Sequence, residues 1–198
     1  MKKAIIFTAL IISISAVPRT AHSYFSAELT GTALKNTDSI YLFGGGGTLS
    51  YTINNHTGLI FKGYYTVKDD EQSAAGETVS LEYSYWSNML GFEFYIPVDF
   101  LLDLRLKWKH SICAGFASFD LQAEHKLSSA SLKDTGHLFY YSTGLQFLYN
   151  QHVAPFAEAA VFYSRFNESL SESNMNGYLF NAGIRYSFGP SRSITDGY

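Results

Sequence analysis

Gly177-Tyr178-Leu179-Phe180-Asn181-Ala182-Gly183-Ile184-Arg185-Tyr186-Ser187-Phe188 decides the fold. Tyr178, Phe180, Ala182, Ile184, Tyr186 and Phe188 fall on one side of an extended chain. Leu179, Asn181, Gly183, Arg185 and Ser187 fall on the other. That period of two marks a strand with one apolar face. The alternation recurs upstream. Phe25, Ala27, Leu29, Gly31 and Ala33 oppose Tyr24, Ser26, Glu28, Thr30 and Thr32. Leu59, Phe61, Gly63, Tyr65 and Val67 oppose Ile60, Lys62, Tyr64, Thr66 and Lys68. Leu102, Leu104, Leu106 and Trp108 oppose Asp103, Arg105, Lys107 and Lys109. Helical periodicity is nearly absent.

Composition narrows the class. A chain of 198 residues suits about one domain. Aromatic residues make up 17%, which excludes disorder. Charged residues are 16%, against about 25% in soluble domains, and no basic excess points to nucleic acid. After the N-terminus no apolar run reaches the length of about 18 residues that a membrane helix needs. Cys113 is the only cysteine, so there is no disulfide framework.

The N-terminus reads as an export address. Met1-Lys2-Lys3 is a short basic segment, Ala4 to Val17 is apolar, and Ala21-His22-Ser23 supplies small residues for cleavage. Fourteen apolar residues are short for an anchor helix. A signal peptide over 1–23 is therefore expected, and no cysteine follows to make a lipoprotein. The mature chain would begin at Tyr24.

The connections between alternating segments come in two kinds. Lys35 to Ser39, Asp69 to Glu77, Glu124 to Gly136 and Asn167 to Asn176 are polar. Asn54 to Gly58, Pro97 to Phe100 and Asn150 to Val153 are tight turns with aromatics nearby. The two kinds alternate, so eight antiparallel strands carry loops on one rim and turns on the other, the layout of an outer-membrane barrel. One segment complicates the count. In Thr78 to Val98 the apolar phase passes from Val79, Leu81, Tyr83 and Tyr85 to Phe92, Phe94 and Ile96. A β-bulge near Ser87-Asn88 would explain this, as would a turn. A turn there requires another near His110 to Ile112, giving ten strands, but that stretch has no turn-forming residue. Eight strands is the preferred count, with ten the runner-up.

A soluble β-sandwich also alternates. Against it stand the aromatics near the connections, where an interfacial girdle would lie, and mid-strand charges on the opposite face. The closing segment adds a polar-x-Gly-x-x-aromatic-x-aromatic pattern. At these residues the chain resembles the small outer-membrane β-barrel family, the OmpA/OmpX/OmpW-like barrels of diderm bacteria. The resemblance implies an all-β, closed, up-and-down transmembrane barrel over 24–188. It also implies that Asn181, Gly183, Tyr186 and Phe188 form the signal read by the barrel-assembly machinery. Family members usually end on the terminal aromatic. Here residues 189–198 follow, read as a short periplasmic tail.

If the polar face lines the lumen, Glu28, Lys62, Glu93, Asp103, Arg105, Lys107, Glu158 and Arg185 lie near its turn-side end. Most stand three to five residues from that end of their strands. Lys62, Glu93 and Arg105 would sit side by side on strands three to five, and Glu158, Arg185 and Glu28 on strands seven, eight and one. An eight-stranded lumen is just wide enough to be filled by side chains, so a belt of salt bridges across the lumen is expected, not a water-filled channel.

Signs of chemistry are weak. His110 and Ser111 with Asp103 invite a Ser/His/Asp reading, and enzymes resembling this fold deacylate or palmitoylate lipid A. Adjacent residues on a strand point to opposite faces, so His110 cannot serve Ser111. His56, His125, His137 and His152 lack metal-ligand spacing on one face. No cofactor or metal is expected. Gly44-Gly45-Gly46-Gly47 lacks the Gly-Lys-Ser/Thr of a phosphate loop. Gly44, Gly45, Gly46 and Gly47 read as a kink, bulge or close backbone approach, or as a weakened lateral wall. The loops remain, with acidic Asp69-Asp70-Glu71 and Glu168 to Glu172 and a Ser-rich stretch between Lys126 and Lys133. They could bind a surface or host ligand, or form a solvated rim among lipopolysaccharide. The expectation is a monomeric, non-enzymatic outer-membrane barrel in contact with outer-membrane lipid. It would serve envelope structure or surface contact and would not bind nucleic acid. A narrow conduit for apolar solutes is the first rival, and a lipid-modifying enzyme the second.

Overall fold

The computed structural model describes residues 24–36, 40–53, 56–74, 77–98, 106–125, 128–150, 152–166 and 175–188. The segments expected to be a signal peptide (1–23) and a C-terminal tail (189–198), together with Asp103 and Arg105, lie outside them. Eight strands follow one another: β1 (Tyr24–Asn36), β2 (Tyr41–Thr52), β3 (Thr57–Ala74), β4 (Glu77–Pro97), β5 (Leu106–His125), β6 (Ser128–Phe147), β7 (Val153–Phe166) and β8 (Met175–Phe188). Each pairs antiparallel with its sequence neighbours, and β8 closes on β1, from Phe25 opposite Phe188 to Asn36 opposite Gly177. The barrel has eight strands, not ten.

The register fixes its shape. From Arg165 on β7 the row of paired residues runs through His137, Phe116, Asn88, Gly63, Gly47, Leu29 and Ile184. It returns to β7 at Pro155, ten residues from Arg165. A stagger of that size in eight strands inclines them by about 40° to the barrel axis.

The outer face is apolar over its middle. Leu29 is 78% exposed, Phe43 63% and Phe139 61%. Such a continuous apolar surface has no place in water and suits hydrocarbon. Rings bound it on both sides. Tyr41, Phe43, Tyr65, Trp86, Tyr163 and Tyr178 form the loop-side layer, and Tyr51, Phe94, Trp108, Phe147, Tyr186 and Phe188 the turn-side layer. Along β2, Phe43 and Tyr51 are eight residues apart. At about 3.3 Å per residue and this tilt, the layers stand about 20 Å apart, within the roughly 25 Å apolar band of such barrels.

Three expectations change. First, β4 holds neither bulge nor turn, because its pairing with β3 and β5 is one-to-one throughout. Tyr83, Tyr85, Met89, Glu93 and Tyr95 all face inward. What changes along the strand is the medium outside it. Trp86, Leu90, Phe92 and Phe94 meet the apolar band, whereas Ser80 and Glu82 lie beyond the loop-side rings. Second, much of two expected loops is strand. β3 and β4 stay paired out to Ala74 opposite Glu77, and β5 and β6 out to His125 opposite Ser128. Four strands of 18 to 21 residues therefore rise past neighbours of 12 to 14. Third, the turn expected at Pro97 to Phe100 lies partly outside the described residues, and the strands flanking it pair only as far as Pro97 and Lys107. The Val98 amide closes that ladder by donating to the Leu106 carbonyl at 3.2 Å.

Candidate functional site

The lumen is the candidate site, and its turn-side half is ionic. Lys62 Nζ lies 2.9 Å from Glu158 Oε1, Lys109 Nζ 2.5 Å from Glu28 Oε1, and Arg185 Nη2 2.5 Å from Glu93 Oε1. Each pair joins strands four apart: β3 with β7, β5 with β1, and β4 with β8. In a ring of eight these are opposite walls, so the pairs brace the lumen across its width. Contacts of 3.6 Å from Lys109 to Glu158 and from Arg185 to Glu28 tie the braces together. Three acids against three bases leave the belt neutral. All six side chains are essentially sealed from solvent, at 1% exposure or less.

Burial of six charges is tolerable only with further hydrogen bonds. Glu158 accepts from Tyr140 at 2.9 Å, Asn181 at 3.0 Å and Ser142 at 3.3 Å. Arg185 Nε donates to Ser26 Oγ at 2.8 Å, and its Nη2 also donates to Ser50. Lys109 lies 4.4 Å from the Phe156 ring centroid, and the Arg185 guanidinium 5.3 Å from that of Tyr95.

The loop-side half is mainly apolar, with Thr66, Ser87 and Ser164 among its few buried polar side chains. Leu34, Leu42, Tyr85, Ala117, Leu138, Phe162 and Leu179 are buried there, with Tyr83, Phe119 and Phe166 packed against them. The Tyr85 and Phe162 rings stand 5.7 Å apart. Between the halves Tyr64, Tyr140 and Asn181 present hydroxyls and an amide to the belt below.

Of the eight charges expected in the belt, Glu28, Lys62, Glu93, Glu158 and Arg185 line it. Their closest partners lie across the lumen, as expected, because side chains in so narrow a tube reach the far wall, and Arg185 also meets Glu28 beside it at 3.6 Å. Lys107 is half-buried, 5.9 Å from the Tyr95 ring, and joins no ion pair among the described residues. Lys109 takes the place expected for Arg105. Depth counted from Phe100 put Arg105 at belt level, but the β5 ladder begins at Leu106.

The weakened wall considered at Gly44, Gly45, Gly46 and Gly47 is not there, because all four are paired on both sides. Gly44 lies between Thr32 and Thr66, Gly45 between Gly31 and Tyr65, Gly46 between Thr30 and Tyr64, and Gly47 between Leu29 and Gly63. A Cβ on Gly44 would fall onto the Tyr65 carbonyl, and one on Gly46 onto Gly63 and the Tyr64 ring. On the other edge of β2, a Cβ on Gly45 would stand 3.0 Å from the Thr30 carbonyl, and one on Gly47 3.2 Å from that of Glu28. The run permits close approach of β2 to both neighbours where the small barrel bends, which is the close-approach reading and not the gap.

His110 faces outward, with Nδ1 3.1 Å from the Tyr141 hydroxyl, while Ser111 is buried in the lumen. The two therefore do not meet. Among the described residues no His, Cys, Asp and Glu are grouped to hold a metal. Of the residues singled out in the closing strand, Asn181 is spoken for by the lumen, where it also accepts from Thr32 at 2.9 Å. Gly183 lies against β1, where a Cβ would fall onto the Leu29 carbonyl. Tyr186 and Phe188 face outward in the turn-side ring layer, edge to face at 4.9 Å.

The geometry is that of small eight-stranded outer-membrane barrels, and solved structures agree. The attachment invasion locus protein Ail of Yersinia pestis is 19% identical, with a TM-score of 0.56 over 84% of this chain and 97% of that one. Neisserial surface protein A is 15% identical, with a TM-score of 0.55 over 84% and 97%. OprG of Pseudomonas aeruginosa is 12% identical, with a TM-score of 0.56 over 85% and 97%. No family model matches the chain, and no curated protein matches it.

Proposed function

We propose that this protein is a non-enzymatic outer-membrane barrel, closed to solutes, that works through contacts made by its loop-side rim. The observation that carries this reading is the filled lumen. An ionic plug lies below an apolar one, which argues against a conduit for ions or small apolar solutes. The separation of His110 from Ser111 argues against acyl transfer. What remains is the rising ribbon of β3 to β6. Beyond the pair Phe43–Val67, residues 68–74 of β3 have no strand partner but β4 among the described residues. Beyond the pair Gly136–Phe166, residues 128–135 of β6 have no strand partner but β5 among the described residues. Unpaired strand edges can add a strand from a partner. The name of the structural neighbour Ail, an attachment protein, is in keeping with surface contact. Export by the segment 1–23 and insertion guided by Asn181, Gly183, Tyr186 and Phe188 belong to the same proposal.

Two measurements test it. Purified barrel in a planar bilayer should give no reproducible conductance steps; regular steps would overturn the closed lumen. Cells carrying the full chain should adhere to immobilised matrix proteins better than cells whose ribbon is cut back to the length of β1 and β2. Equal adherence would remove the ribbon from the proposal.

A further inference from the structure

Just past the loop-side ring layer, the outer wall carries two arcs of opposite charge. Asp69 and Glu71 on β3, Glu82 on β4, and Asp120 and Glu124 on β5 face outward. On the other side, Lys133 and His137 on β6 and Arg165 on β7 face outward and are exposed. Arg165 and His137 are directly opposed in the ladder, and Lys133 stands four residues further up β6. Neither Arg165 nor Lys133 has an ion-pair or hydrogen-bond partner among the described residues, although Asp120 is the register partner of Lys133. Immediately below, Phe139 and Tyr163 face the apolar band, and the Phe116 ring lies 5.4 Å from that of His137.

We propose that this face of β6 and β7 binds a phosphate-bearing lipid of the leaflet on the loop side. Cross-strand neighbours stand about 5 Å apart, so the Arg165 guanidinium and the His137 imidazole can hold one phosphate between them. Lys133 meets the outer part of the headgroup. The acyl chains lie on Phe139, Tyr163 and Val161. The level is the one a bilayer headgroup occupies, directly over an aromatic belt. A soluble anion would gain the cations but not the apolar contact beneath them. The acidic arc repels the same headgroup, so the lipid is held on one side of the barrel only. The inference rests on the membrane reading above, which heat-modifiable gel migration of the wild-type chain checks separately.

The test uses the full barrel in maltoside micelles, titrated with bis-phosphorylated lipid A and followed by native mass spectrometry. Dephosphorylated lipid A and inorganic phosphate are titrated alongside. The phosphorylated lipid should bind one-to-one, and the other two at least tenfold more weakly. Each cation near a membrane surface contributes about a fivefold gain, so the double variant Arg165→Glu/Lys133→Glu should weaken binding on the order of tenfold or more. Should that variant lose its heat-modifiable migration, Arg165→Gln/Lys133→Gln replaces it with the same direction expected. Glu82→Gln should leave binding unchanged. Equal binding of the dephosphorylated lipid, effective competition by inorganic phosphate, or full affinity in the folded cation variant would each overturn the proposal.

Discussion

The two halves of the lumen solve one problem in opposite ways. Both must fill a tube too narrow for bulk water. The turn-side half does so with Glu28, Lys62, Glu93, Lys109, Glu158 and Arg185, whose burial is offset only by mutual pairing. The loop-side half does so with Leu34, Leu42, Leu138, Phe162 and Leu179, which need no partner. The difference teaches where specificity resides. Apolar residues pack against many alternatives at modest loss, whereas each buried ion requires one particular residue on the far wall.

The sharpest way to break this contrast is to remove one ion. Lys62→Met leaves Glu158 without its closest cation and should cost about 3–5 kcal/mol in urea unfolding of the micelle-bound barrel. Lys62→Met combined with Glu158→Leu should recover most of that loss. Failure of the double variant to improve on the single one would show that Glu158 acts chiefly through Tyr140 and Asn181. In the apolar half, Leu138→Ala should cost about 2–4 kcal/mol by the same assay, with no second site able to rescue it by charge. At the junction, Gly46→Val forces a methyl-bearing side chain onto Gly63 and Tyr64 and should cost about 1–3 kcal/mol, while Thr48→Val should cost less. The smallest effect lies outside both halves. Lys68 donates to Asp70 at 2.7 Å and holds its carboxyl below the ordinary value of 3.8. That contribution is complete above the ordinary value and is lost as pH falls through the lowered one. Amide protection factors, corrected for the intrinsic pH dependence of exchange, should therefore fall around residues 68–71 below about pH 4 while those of the belt strands hold.

The sequence reading reached the closed barrel because alternation in a lipid-facing strand is strong: Tyr178, Phe180, Ile184, Tyr186 and Phe188 all face outward as read. It faltered where the medium changes along a strand. Val79, Leu81 and Tyr83 are apolar because they face inward above the bilayer, and Phe92, Phe94 and Ile96 because they face lipid. From sequence that inversion is indistinguishable from a slip in register. The glycine run was ambiguous for a related reason. A residue without a side chain shows where backbones approach, but Gly45 reads the same whether Gly31 and Tyr65 flank it or nothing does. Most of the belt was legible as mid-strand charge. That the bridges cross the lumen, and that Arg185 stands beside Glu28, was legible too, but the particular pairs were not, since which residues meet depends on strand tilt and stagger, which no single strand encodes. Lys109 was visible on the polar face, and only the start of its strand hid its depth.

One consequence of the cross-lumen braces concerns assembly. An ion pair joining the first strand to the fifth, or the fourth to the eighth, has no geometry in a sheet that still lies open. While the chain is threading into the membrane, these six groups keep whatever water or carrier surface they can find. They surrender it together when the seam between the first and last strands zips shut. The belt thus works as a latch, engaging only in a finished cylinder and leaving a half-built one easy to reopen.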